Sequence, residues 1–321
     1  MGKRKTKRMW VVLVTVGLML AFFSSEALPW GFATHAYIND HLGKKRGLCN
    51  SSEIYGGMAP DVFNYLFDYP EYLDYLAYET HANFMKVWES ARWGLQKPLA
   101  YGFVSHSLAD LTAHGEESYG IQGYAMVKAV ELLGYLSEEF RTKVGDELLV
   151  QMLHIIAENA VDILIVGNDD HLIGRKLTTA ALLRSPELPL LLVKAYASDL
   201  AAFSRISRRE AAAFIISAEK EFRKSLILYG QILTLDELTA IRLISEQTAD
   251  AAVAYLGLYN IKLSDLFPDE NDPDQLQEML VQLIVTFTDL AILSCASDYQ
   301  GEIEATIDFV DQWLEESNVS Y

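Results

Sequence analysis

The run His106-Ser-Leu-Ala-Asp110-Leu-Thr-Ala-His114 carries two imidazoles and a carboxylate at a strict four-residue spacing. On an α-helix that spacing turns about 40° per step, so the three side chains share one face while each step climbs about 6 Å. Imidazole nitrogens and carboxylate oxygens are ordinary donors to a divalent cation such as zinc, which takes nitrogen ligands at about 2.0–2.1 Å. Along such a helix His106 and His114 stand about 12 Å apart, too far to share one ion comfortably, so the spacing fits two metals with Asp110 between them. The bland alternative is a polar helix face turned to solvent. Phe103, Val104, Leu108 and Leu111 weigh against it, since they make this a mostly buried helix.

A second set, His154-Ile-Ile-Ala-Glu158, repeats the one-turn pairing that lets a single helix chelate one cation, and Asp162 follows four residues later. On its own it reads as a core histidine satisfied by Glu158. Beside the first run the metal reading gains, because a buried ionised carboxylate needs a partner and a cation supplies one. Three shorter pieces add donors: Thr34-His35 after Trp30-Gly-Phe-Ala, Pro60-Asp61, and Thr80-His81. Thr34 has the chemistry of a helix N-cap, and Asp61 and His81 fall at expected helix starts. Asp162 and Glu116 fit either partners for the ligand imidazoles or solvent-facing positions.

The elements that must position these residues are helices. Apolar residues recur at three- and four-residue spacing in 99–111, 148–166, 211–228, 238–258 and 276–293, and strand-like alternation is scarce. The expected fold is therefore an all-α multi-helix bundle with a metal cluster in its N-terminal half. All seven histidines lie between His35 and His171, which places any chemistry there. Residues 28–175 are expected to form the catalytic region, and 176–321 a helical continuation or a second helical domain. Only two cysteines, Cys49 and Cys295, are present, too few for a disulfide scaffold or a cysteine-rich zinc finger; their pairing stays open.

The first 27 residues read as an export signal. Lys3, Arg4, Lys5, Lys7 and Arg8 form a basic run, residues 9–23 are apolar, and Ser25-Glu26-Ala27 presents small residues to a signal peptidase. Fifteen helical residues reach about 22 Å, short of a roughly 30 Å hydrocarbon core, so a cleaved signal fits better than a retained membrane anchor. The protein is accordingly expected to be secreted or periplasmic. The formal net charge is −18, and the leader holds five of the basic residues, so the rest is more acidic still. Such a surface repels polyanions and counts against nucleic acid as the partner.

Taken together, Trp-Gly-x-x-Thr-His, Pro-Asp, Thr-His, Gly-x-x-x-His-x-x-x-Asp-x-x-x-His (residues 102–114) and His-x-x-x-Glu resemble the zinc-dependent phospholipase C superfamily. The nearest resemblance is to the branch containing the catalytic domain of glycosylphosphatidylinositol-specific phospholipase D, where the Asp to His spacing is also four. It covers residues 30–170 in matching order. The resemblance implies zinc, as two or three ions. Asp61, His81, His106 and Asp110 would hold the first; His114, His154 and Glu158 the second; His35, Asp110 and the backbone of Trp30 the third, with Asp110 as the bridge. In the bacterial members the tryptophan is the mature N-terminus, whereas Leu28-Pro29 precede Trp30 here. The helical C-terminal half also differs from the β-rich domains of some relatives.

Zinc ions in such a cluster would neutralise a phosphodiester and activate a water for in-line hydrolysis. Asp61 would orient or deprotonate that water if its second oxygen is free; water on the metal is an equal candidate. The expected substrate is a phospholipid or another small phosphodiester, with C- or D-type cleavage open. Six tyrosines between Tyr55 and Tyr78, with Phe63 and Phe67, fit either ordinary core or a rim facing a membrane surface. A secreted zinc nuclease or general phosphoesterase is the enzymatic alternative, and a non-catalytic zinc-bound helical module the structural one.

Overall fold

A computed structural model describes residues 30–45, 51–64, 69–92, 94–115 and 122–321. The leader, Cys49 and Glu116 lie outside the described residues. Within them the chain is all-α, as its apolar spacing implies, with fifteen α-helices, one 3-10 turn and no strand. The N-terminal half runs through α1 (Phe32–Lys45), α2 (Ser51–Gly56), the 3-10 turn (Ala59–Phe63), α3 (Pro70–Ala82), α4 (Met85–Ser90), α5 (Gln96–His114), α6 (Tyr124–Leu133), α7 (Glu138–Val144) and α8 (Asp146–Asn168). The remainder comprises α9 (Ile173–Leu182), α10 (Glu187–Ser204), α11 (Arg208–Ile232), α12 (Glu237–Leu258), α13 (Leu263–Leu266), α14 (Pro273–Cys295) and α15 (Tyr299–Glu316).

Helix α1 begins two residues before Thr34, and its cap comes from another helix. The buried carboxylate of Asp162, on α8, accepts from Ala33 N at 2.8 Å, Thr34 N at 2.7 Å, the Thr34 hydroxyl at 2.7 Å and the Tyr229 hydroxyl at 2.8 Å. Free amides and the positive end of the dipole make a helix start a seat for a carboxylate. Thr34 therefore donates to the capping acid instead of acting as the N-cap. Asp162 in turn neither supports an imidazole nor faces solvent. A Cβ on Gly31 would lie 2.5 Å from this carboxylate, so only glycine fits beneath it.

Helices α2 and α5 cross at glycines. A Cβ at Gly102 would stand 2.1 Å from the Glu53 carbonyl oxygen, and one at Gly56 would stand 2.2 Å from that of Leu99. Behind this crossing, the Tyr55 hydroxyl on α2 donates to buried Glu219 on α11 at 2.9 Å, and Arg184 donates to the same carboxylate at 2.9 Å. The 3-10 turn that carries Asp61 follows directly from α2, so the crossing fixes both. Gly102→Ala is expected to lower stability by about 1–3 kcal/mol, although alanine has the better helix propensity by about 1 kcal/mol, because the obstacle is a backbone carbonyl that cannot rotate away. Urea unfolding checks the sign, and a stabilised variant would contradict the close approach.

Burial explains the rest of the frame. Helix α8 is strongly apolar because most of it is inside: Leu153, Ile156, Ala157, Ala160, Val161 and Ile165 are buried on faces turned to different neighbours. Helices α6 and α14 pack along it. One continuous core joins Leu99 and Val104 of α5 to Leu192 of α10, Leu226 of α11 and Val310 and Leu314 of α15. The metal-type donors of the N-terminal half are thus backed by helices from the whole chain. Cys295 is buried at the end of α14.

Candidate metal centre

Helix α5 spans the site from one end to the other. Its positions 106, 110 and 114 face inward together, as their spacing implies, and each meets donors from different elements. Asp61 arrives on the 3-10 turn, His81 on the last turn of α3, His35 on α1, and His154 and Glu158 on α8.

Four donors converge first. Asp61 Oδ1 lies 3.5 Å from His81 Nε2 and 3.5 Å from His106 Nε2, and the two imidazole nitrogens are 3.4 Å apart. Asp110 Oδ2 is 3.3 Å from His81 Nε2 and 3.1 Å from His106 Nε2. A tetrahedron with arms of about 2.0–2.1 Å has edges of about 3.3–3.4 Å. The five separations, 3.1–3.5 Å, scatter around that value, so the spacing of Asp61 and of Asp110 about the two imidazoles is of the size a zinc shell would need. Ordinary histidine–carboxylate hydrogen bonding would bring one pair close; here each of the two carboxylates approaches both imidazoles.

Asp110 also faces the other way. Its Oδ1 lies 3.1 Å from His35 Nε2, and the His35 ring stacks on His106 with centroids 3.8 Å apart. One carboxylate thus presents its two oxygens to two donor groups. The third group sits at the end of α5, where His114 Nε2 is 3.1 Å from Glu158 Oε1 and the His154 ring is 5.4 Å from that of His114. His106 and His114 fall in different groups. Trp30 is buried nearby; its indole donates to Thr112 at 3.1 Å and stacks on Tyr124 at 5.4 Å. Those contacts tie the tryptophan to α5 and α6 through its ring. The other two histidines stand apart from the cluster, His41 bonding Tyr37 O and His171 bonding Val166 O.

The backbone decides which ring nitrogen is offered. His106 Nδ1 lies 2.6 Å from Gly57 O, His81 Nδ1 2.8 Å from Ala77 O, and His154 Nδ1 3.3 Å from Val150 O. A carbonyl only accepts, so each Nδ1 carries the proton and donates, leaving Nε2 aimed at the cluster. Gly57 reaches His106 because α2 and α5 approach so closely. His35 lacks this anchor, since its Nδ1 has no hydrogen-bond partner among the described residues; the capped first turn of α1 places it instead.

The charges are lopsided. Among the described residues no lysine or arginine pairs with Asp61, Asp110 or Glu158; their partners are imidazoles. Burial opposes the charge on His81, yet hydrogen bonds and charge from Asp110 and Asp61 prevail and lift it to about 10. Burial likewise opposes His106, and the same two aspartates raise it to about 9. Against burial, His106 leads the partners that hold Asp61 and Asp110 below the usual carboxylate range. Burial, reinforced by the His106 charge, pushes His35 down to about 4. At the far end burial drives His114 down to about 3 and Glu158 well above its ordinary value, with Asp110, Asp61 and Asp162 adding to the rise of Glu158. Three buried carboxylates thus face imidazoles, with no lysine or arginine among the described residues to balance their charge. A divalent ion would supply that balance, and imidazole and carboxylate are donors that zinc accepts.

Most donors are inside, with His35, His106, Asp61, His154 and Glu158 buried. His81 and His114 keep 23% and 14% of their side-chain surface, so the cluster meets solvent at its His81 and His114 sides. Two contributors escaped the sequence reading. Asn64 donates to Asp61 and was visible as an amide three residues beyond the acid; the Gly57 carbonyl carries no side-chain signal at all. Comparison of the chain with family models, curated proteins and solved structures finds no match.

Proposed function

We propose that this chain is an exported zinc-dependent phosphodiesterase of the phospholipase C and D type, as its resemblance to the zinc-dependent phospholipase C superfamily implies. The observation that carries the reading is Asp110, whose oxygens face two donor groups on a helix that supplies a third. Asp61, His81, His106 and Asp110 would hold one zinc, His114, His154 and Glu158 another, and His35 with Asp110 and the Trp30 backbone a third. Bound there, zinc would supply positive charge to an anionic phosphodiester and lower the pKa of water.

The chain's own residues do the rest. Asp61 Oδ1 faces the ring nitrogens of His106 and His81. Asp61 Oδ2, buried and without a hydrogen-bond partner among the described residues, is the free oxygen that a base requires. It would take the proton of a water as that water's oxygen bonds phosphorus and the ester oxygen on the opposite side departs. Carbonyl anchors on His81 and His106 keep the donors fixed, so little reorganisation accompanies the reaction.

Two features support a phospholipid over a nucleic acid. The net charge of −18 disfavours polyanions. Tyr69 and Tyr78, about half exposed at 48% and 51%, flank and ride the helix whose last turn carries His81, and an aromatic ring with a polar tip suits a lipid headgroup layer. The basic and apolar leader supports export.

The test is turnover by the purified chain, loaded with zinc, of phospholipid vesicles, soluble phosphodiesters and single-stranded nucleic acid. Release of phosphorylated headgroup marks C-type cleavage and release of phosphatidate D-type. Activity on nucleic acid alone would replace the reading by a nuclease, and two or three bound zincs with no turnover of any diester would replace it by a structural module.

A further inference from the structure

Asp61 has a fixed neighbour that the ligand set does not include. Asn64 closes the 3-10 turn, its amide N donating to Asp61 O at 3.1 Å. In a 3-10 turn, side chains three residues apart eclipse one another, so Asn64 stands over Asp61. Its side-chain Nδ2 donates to Asp61 Oδ1 at 2.7 Å. That oxygen also lies 3.5 Å from both His81 Nε2 and His106 Nε2. Among the described residues, the polar contacts of the Asp61 carboxylate therefore fall on the same oxygen.

Asp61 Oδ2 is buried without a hydrogen-bond partner among the described residues, and so is Asn64 Oδ1 on the same turn. Both residues are more than nine-tenths buried. Buried acceptors left unpaired cost about 1–3 kcal/mol each, and two of them on one turn call for a donor such as water. A carboxylate beside a divalent cation is otherwise free to swing and offer both oxygens. The amide of Asn64 opposes that swing because it holds Oδ1 in one place.

We propose that Asn64 is a positioning residue: it keeps Asp61 a one-oxygen ligand and so reserves Oδ2 for the proton of the water that attacks phosphorus. The proposal rests on the phosphodiesterase reading for its chemical consequence. Its geometric half, one oxygen bound and one kept free, stands independently of any substrate.

The experiment compares the wild-type full chain with Asn64→Leu, similar in shape but without a donor, and Asn64→Gln, which restores one. Each is loaded with cobalt(II) for visible absorption and with zinc for kinetics. In Asn64→Leu the metal count is expected to stay the same while cobalt absorbance falls, as Asp61 brings its second oxygen to the ion and the coordination number rises. With zinc, kcat is expected to fall about 10–100-fold, the range for partners that orient a ligand, with little change in KM and with the acid limb of the pH profile displaced. Asn64→Gln is expected to recover part of both signals. An unchanged cobalt spectrum in Asn64→Leu overturns the proposal whether or not the wild type hydrolyses any diester. A changed spectrum with no wild-type turnover overturns the phosphodiesterase reading and leaves the placement of Asp61 standing. Should Asn64→Leu fail to fold, Asn64→Ser, which vacates the space, is read by the same criteria. A wild-type chain that binds no cobalt overturns both.

Discussion

Asp110→Ala is expected to abolish phosphodiester turnover by the zinc-loaded chain, with kcat down by about a thousandfold or more. The substitution removes one ligand oxygen facing His81 and His106 and another facing His35. Two donor groups therefore fail at once. Metal assistance is worth several kcal/mol of transition-state stabilisation, and about 4 kcal/mol is a factor of about a thousand. The bound metal count should fall together with activity, while the group of His114, His154 and Glu158, which Asp110 does not touch, keeps its ion. Elemental analysis of the dialysed variant separates the groups. Full activity, or an unchanged count, contradicts the bridging role.

The second large effect is on stability. Stripping the wild type with a chelator is expected to lower its unfolding midpoint by about 10 °C for each site emptied. A ligand that binds only the folded state adds about 4 kcal/mol at a thousandfold excess over its Kd. In a chain of this size each kcal/mol moves the midpoint by roughly 2–4 °C. The donors span α1, the 3-10 turn, α3, α5 and α8, so bound ions would join elements far apart in sequence, and returning zinc should restore the midpoint. Scanning calorimetry with and without chelator decides. If the midpoint does not move, the histidines and acids satisfy one another without a cation, and the enzyme reading loses its basis.

The donors were legible in the sequence because helical periodicity alone puts His106, Asp110 and His114 on one face, and His154 with Glu158 on another. The apolar spacing likewise announced helices from end to end. What could not be read was whatever depends on one helix meeting another. Thr34 has the side chain of an N-cap, yet the acid that caps α1 comes from Asp162, 128 residues further along. The anchor on His106 is a main-chain carbonyl, that of Gly57, 49 residues away. Gly102 looked like a letter in a motif; its reason is the carbonyl of Glu53 pressed against its Cα. Asn64 was readable in principle, because the acid it serves is only three positions off, but a short turn after Pro60 gives no periodic signal to mark it.

Helix α5 also limits how this chain can vary in length. One residue inserted between His106 and His114 would turn everything downstream by about 100° and carry His114 off its face, breaking its meeting with Glu158 as surely as a substitution would. An insertion in a connecting loop such as that between α9 and α10 moves no donor. A version of this chain with residues added within this stretch would have to unwind the helix there and let a loop deliver the last imidazole, exchanging a rigid gauge for a tether.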